Sequence, residues 1–214
     1  MAACTTPQSL LLSLLPDGTF LMPLSKLVRT ENRNRERLLD LEERGDWVAV
    51  VAAADAEIKK NAQSAEWHYI RGMGEARRGN WRSAQGSFAQ SVRLDPHELE
   101  GWYMLSRAQV SSGERENAVR TLERALDVDR ANPLTQFFLG ETYRQAARPA
   151  DAQRAYREAL RLRPGFAEAL YGLAIAQAAA GERDAANATA IELGRVNAEL
   201  AKSLAARLPA PATR

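Results

Sequence analysis

The sequence predicts an all-α protein built as a linear array of paired helices. Two observations carry this. The pattern aromatic, then Gly-polar, then Ala recurs at a fixed spacing of 34 residues: Tyr69, Gly79-Asn80, Ala84; Tyr103, Gly113-Glu114, Ala118; Phe137, Ala147-Arg148, Ala152; Tyr171, Gly181-Glu182, Ala186. Within each period the apolar residues fall at steps of three and four, the spacing of one helix face. A fixed period of 20–50 residues marks a stacked repeat array, in which each unit buries its apolar face only against its neighbours.

Along the chain, residues 1–30 lie outside the period. Leu15-Pro16-Asp17-Gly18-Thr19 is a turn signal between two apolar runs. A small β-hairpin, Leu11–Leu15 with Phe20–Pro23, is one expectation for this extension; a short helix and loop covering the first repeat is the other. Residues 31–64 form a divergent unit, since Gly45-Asp46-Trp47 anticipates Gly79-Asn80-Trp81. Four units then tile 65–98, 99–132, 133–166 and 167–200 without insertion, the last degenerate. In the second, Glu100–Ser112 and Glu114–Asp129 read as two helices broken by Gly113, the residue best suited to a left-handed helix end. Pro96 and Pro164 close two second helices, and Pro149 suits the first turn of another. The small Ala84, Ala118, Ala152 and Ala186 recur where paired helices cross. Residues 201–214 read as a cap and tail, with an amphipathic helix over Ala198–Leu208 covering the last unit.

Composition narrows the function classes. The chain has 214 residues, 45% hydrophobic and 26% charged, with a net charge of +2. Charge is spread evenly and only the last third is mildly basic, so no field gathers nucleic acid, and none is expected as a partner. Lysine occurs only at Lys26, Lys59, Lys60 and Lys202, and the other basic residues are arginine. With abundant alanine, this bias suggests a bacterial GC-rich genome. One cysteine, Cys4, excludes an internal disulfide. No apolar run reaches the roughly 20 residues that span a bilayer.

The repeat resembles the tetratricopeptide repeat (TPR), whose helix-turn-helix unit is 34 residues long. The third unit carries most of the likeness, with Leu139-Gly140, Tyr143, Ala152, Tyr156, Ala159 and Pro164. The second has Trp102, Leu105, Ala118, Leu122 and Ala125; the first has Gly72, Ala84, Phe88 and Pro96. The fourth departs at Gly194 and lacks a closing proline. The resemblance implies a right-handed superhelical solenoid that binds other proteins and performs no chemistry.

It also implies that the fifth residue of each first helix faces a concave groove. Here that row reads Arg35, Tyr69, Tyr103, Phe137, Tyr171. The four aromatics, flanked by Arg107, Glu141 and Arg144, form a candidate site for a peptide or helix; packing between helices is the competing reading. The Lys/Asn pair with which some relatives hold a peptide carboxylate is absent, because Tyr69 with Met73 and Tyr103 with Arg107 stand at those positions.

Met1-Ala2-Ala3-Cys4, followed by a polar segment, resembles the end of a bacterial lipoprotein signal. A lipid anchor at Cys4 is one expectation and an inert thiol the other. Arg44-Gly45-Asp46 falls in an inter-helix turn, Gly72-Met73-Gly74 inside a helix and Asn187-Ala188-Thr189 in mid-helix, so each reads as structural. His68 and His97 have no partner at metal-ligand spacing, and neither metal nor cofactor is expected. The leading expectation is an envelope adaptor, on the periplasmic side and anchored through Cys4, in assembly of a secretion, pilus or export machine. A cytoplasmic chaperone or adaptor for a secreted or regulatory protein is the alternative, and an accessory domain of an enzyme the third. Further copies of the chain are also expected as a partner class.

Overall fold

The structure, a computed structural model, describes residues 33–208. The β-hairpin expectation and Cys4 both lie outside the described residues. Among those residues eleven α-helices follow one another: α1 (Arg33–Glu43), α2 (Trp47–Lys60), α3 (Ala65–Arg77), α4 (Trp81–Leu94), α5 (Leu99–Ser111), α6 (Arg115–Val128), α7 (Pro133–Gln145), α8 (Pro149–Leu162), α9 (Ala167–Ala179), α10 (Arg183–Val196) and α11 (Ala198–Ala205). Helices α3 to α10 are the eight that the four 34-residue units require. The array is a right-handed superhelical solenoid, and α1 with α2 adds the divergent unit ahead of it.

Local chemistry sets the helix ends. Pro149 opens α8 with Asp151 in the first turn and Arg161 in the last, each favourable to the helix dipole. Asn132 caps α7 through hydrogen bonds from the Leu134 and Thr135 amides. Asp46 caps α2 by accepting from the Ala49 amide at 3.0 Å, so the Arg-Gly-Asp tripeptide is a turn and a helix cap. Each unit turns through one left-handed residue: Gly45, Gly79, Gly113 and Gly181 at φ 67, 78, 86 and 81°, and Ala147 at φ 56°. The turn is then locked by an amide reaching back five residues. Asn80 to Glu75, Glu114 to Gln109, Arg148 to Tyr143 and Glu182 to Gln177 are all 2.8–2.9 Å.

Packing follows the small residues. Ala84, Ala118 and Ala152 are fully buried and Ala186 nearly so. A Cβ on Gly72 would stand 2.6 Å from the Phe88 ring, and one on Gly140 at the same distance from the Tyr156 ring. Glycine is therefore needed there so that the paired helices can close over an aromatic. The second and fourth units instead carry a polar pair at the positions equivalent to Glu75 and Ser87. Thr121 donates to Gln109 and Thr189 to Gln177, both at 2.8 Å. The 34-residue repeat thus carries a superimposed alternation of two unit types.

The stacking also fixes the curvature. Each helix packs on its neighbours in sequence, and α5 further touches α7 and α7 touches α9. The second helices α6, α8 and α10 make no comparable contact with one another. An array held more tightly along its first helices curves toward them, so α3, α5, α7 and α9 line the concave face. At the far end Asn197 caps α11, and Leu204 is buried against α9 and α10. The cap helix expected over Ala198–Leu208 stops at Ala205.

Candidate functional site

The concave wall does not present an even ladder of four aromatic rings. Tyr69 is 6% exposed and Tyr103 5%. Both lie in the joints between units, which corrects the expectation that they offer open contact area. The Tyr69 ring meets Phe88 edge-on at 5.4 Å. The Tyr103 ring stacks on Phe138 at 4.5 Å, and its hydroxyl lies 2.9 Å from Thr135 Oγ1. Burial pushes both phenols well above their ordinary pKa of 10, and Glu100 adds to the effect on each. Phe137 and Tyr171 differ, since both are only partly buried. Phe137 rests on Phe166 at 5.2 Å and leaves part of its ring open. The Tyr171 hydroxyl accepts from Arg207 at 3.2 Å, which brings the segment after α11 back to this end of the groove.

The polar members of the site are also partly committed. Arg107 lies over the Trp81 ring of the preceding unit at 5.6 Å. Glu141 accepts from Arg144 at 2.8 Å and from the buried Tyr156 hydroxyl. Burial alone would lower the Arg144 pKa, but the Glu141 charge and hydrogen bond outweigh it and the value is raised. Glu141 and Arg144 therefore neutralise each other and form a fixed dipole. They do not act as separate charges that read a ligand's register.

The geometry brings in residues that the periodic row does not mark. Phe138 is partly exposed beside Phe137 and bridges to Tyr103. Glu98 and Glu100, at the start of α5, together with Arg107 act on the Tyr69 hydroxyl. The helical spacing of Phe138 could have flagged it. Nothing in the sequence marks Glu98 and Glu100 among many surface carboxylates.

The other sequence motifs are structural. Gly72 and Gly74 face Phe88 and Val51 inside α3. Thr189 is buried in α10, bonded to Gln177. His68 sits 3.1 Å from the Ala62 carbonyl. Among the described residues no group of three His, Cys, Asp or Glu is placed to hold a metal, and no helix is long and apolar enough to cross a membrane.

Comparison with known proteins agrees with this architecture. A family model described as tetratricopeptide repeat matches residues 71–133 and 137–195. Together the two matches cover more than half of the chain. Among solved structures, MamA superposes with a TM-score of 0.66 at 23% identity, covering 77% of this chain and 96% of that one. TTC0263, a thermophilic TPR protein in Thermus thermophilus, gives 0.63 at 21% identity over 80% of this chain and 95% of its own. YrrB, described as a TPR protein with an unusual peptide-binding site, gives 0.61 at 19% identity over 82% and 90%. At these identities the likeness concerns the fold. No curated protein shows significant similarity to the chain.

Proposed function

The chain belongs to the tetratricopeptide repeat family, a protein-interaction fold, and from that premise we propose that it is a non-enzymatic scaffold gripping a peptide or helix of another protein in its concave groove. The observation that carries this is the unequal burial of the aromatic row. Tyr69 and Tyr103 are enclosed, while Phe137, its neighbour Phe138 and Tyr171 are only partly buried. Rigid aromatic surface on a preformed wall gives large contact area at small entropic cost. The peptide-binding site described for YrrB lends support by analogy. Peptide display against the full chain tests the reading. Selected ligands should lose affinity for a Phe137→Ala/Tyr171→Ala variant and keep it for Val48→Ala, at a position on the outer face that is 62% exposed. Ligands indifferent to the first variant would count against the groove.

We place this activity in the cell envelope, as an adaptor anchored through Cys4 in an export or surface-assembly machine. Support comes from the sequence: a sole cysteine after small residues and ahead of a polar stretch. Expressed from its native gene, the protein should fractionate with membranes and Cys4→Ser should release it. A soluble wild type that takes up no fatty-acid label would refute the anchor.

A further inference from the structure

The joints of the array are not filled alike at their turn edge. Where α3 meets α2, the Arg77 guanidinium lies over the Trp47 ring at 4.9 Å, and Arg78 pairs with Glu75 at 3.3 Å. One joint further, where α5 meets α4, Trp81 stands at the place of Trp47. There Ser111 and Ser112 replace Arg77 and Arg78, and Arg82 replaces Val48. Two long side chains are thus exchanged for two short ones. An open pocket of about 500 Å³ lies here, lined by Trp81, Arg82, Ser83, Ser111 and Ser112 among others.

The pocket is polar and electropositive. Arg82 is exposed and makes no hydrogen bond or ion pair among the described residues. The carboxylates of the adjoining turns are engaged elsewhere: Glu75 accepts from Arg78 and Asn80, and Glu114 from Gln85 and Asn117. Arg107 lies over the Trp81 ring at 5.6 Å and adds a second positive charge. The Ser112 hydroxyl oxygen is buried and has no hydrogen-bond partner among the described residues. Buried hydroxyls are normally satisfied, so one left open in a pocket wall calls for a group from outside the chain.

The charge of the ligand follows from the lining. A cation would repeat the contact of Arg77 with Trp47, but Arg82 and Arg107 would repel it. A carboxylate gains charge-assisted bonds from the serine hydroxyls and from Arg82, whose planar fork matches its two oxygens. Its methylene stem can rest on the indole. We propose that this pocket binds the carboxylate of an acidic side chain, presented by the partner that the scaffold holds. This rests on reading the protein as a scaffold. It adds a charge-specific contact separate from the aromatic wall of α7 and α9.

Fluorine NMR of the full chain labelled with fluorotryptophan tests the proposal without any partner. The probes are the N-acetyl methylamides of glutamate and glutamine at fixed ionic strength, and Trp81→Phe assigns the signal. The Trp81 resonance should shift saturably with the glutamate probe and not with glutamine. The Trp47 resonance, whose ring Arg77 covers, should stay in place. Arg82→Gln should weaken the glutamate probe about tenfold. Ser111→Arg, which restores the residue type of the filled joint, should block it. No saturable shift in the wild type, an equal response to glutamine, or undiminished affinity in Arg82→Gln would each overturn the proposal. Inorganic phosphate binding more tightly than the glutamate probe would overturn the side-chain assignment in favour of a free anion. Since the readout sits at Trp81, a failure here is read separately from display ligands that ignore Phe137 and Tyr171.

Discussion

Tyr103 stacks on Phe138 across the joint between the second and third units, the ring centroids 4.5 Å apart and the planes 27° from parallel. The contact makes Tyr103 a link between repeats, and its hydroxyl extends the link to Thr135 and Asn132. Tyr103→Ala should therefore cost about 3–5 kcal/mol of stability, the range for deleting a buried aromatic. Denaturant titration measures this. A loss below about 1 kcal/mol would mean that the joint does not depend on the ring.

The equivalent joint one unit earlier lacks this hydrogen bond. Gly101 stands where Thr135 stands in the next unit, and the buried Tyr69 hydroxyl has no hydrogen-bond partner among the described residues. Removing an unsatisfied buried hydroxyl relieves its desolvation penalty, whereas removing a bonded one forfeits the bond. Tyr69→Phe should thus be neutral or stabilise by about 1 kcal/mol, and Tyr103→Phe should destabilise by about 1 kcal/mol. Paired melts decide it, and equal effects would contradict the assignment.

Three buried phenols give the protein an alkaline limit. Burial raises the pKa of Tyr69, Tyr103 and Tyr156 in the folded state above the ordinary 10.0. The unfolded chain releases these protons first, so it binds fewer protons than the native state above pH 10. Their contribution is fully present below pH 10 and is lost as pH rises toward the folded values. Melting temperature should fall from about pH 10 upward, and less steeply in Tyr156→Phe. An unchanged slope in that variant would show that its hydroxyl does not drive the transition.

The turns offer a matched pair. Gly113 at φ 86° has open space where a Cβ would stand, so a side chain there meets backbone strain alone. Gly113→Val should cost about 1–2 kcal/mol. Ala147 already bears this strain at φ 56°, and Ala147→Gly should stabilise by about 0.5–1 kcal/mol. Calorimetry on both variants checks the signs.

The helical array was legible because its causes are local and repeated. Gly79, Gly113 and Gly181 mark the turns, and Ala84, Ala118, Ala152 and Ala186 mark the crossings. Even Ala147, without a glycine, was placed by the period. The groove was less legible because burial depends on which side chain packs beside each ring, in its own unit or the next. Tyr69, Tyr103, Phe137 and Tyr171 are equivalent in sequence. Yet Phe138 encloses Tyr103, and Phe88 packs edge-on against Tyr69 within its own unit. Glu141 and Arg144 looked like ligand-reading charges, but the Tyr156 hydroxyl and their mutual hydrogen bond tie them to the wall. Such couplings join residues that periodicity treats independently.

The central claim is that Phe137 and Tyr171 form the contact surface while Tyr69 and Tyr103 hold the units together. Calorimetric titration of a display-selected peptide into folded wild type, Phe137→Ala/Tyr171→Ala and Tyr103→Phe tests it most directly. The double variant should bind about 2–4 kcal/mol more weakly, which is roughly 30- to 1,000-fold. Tyr103→Phe, though less stable, should bind as wild type does. Wild-type affinity in the folded double variant, or a comparable loss in Tyr103→Phe, would contradict the division of roles.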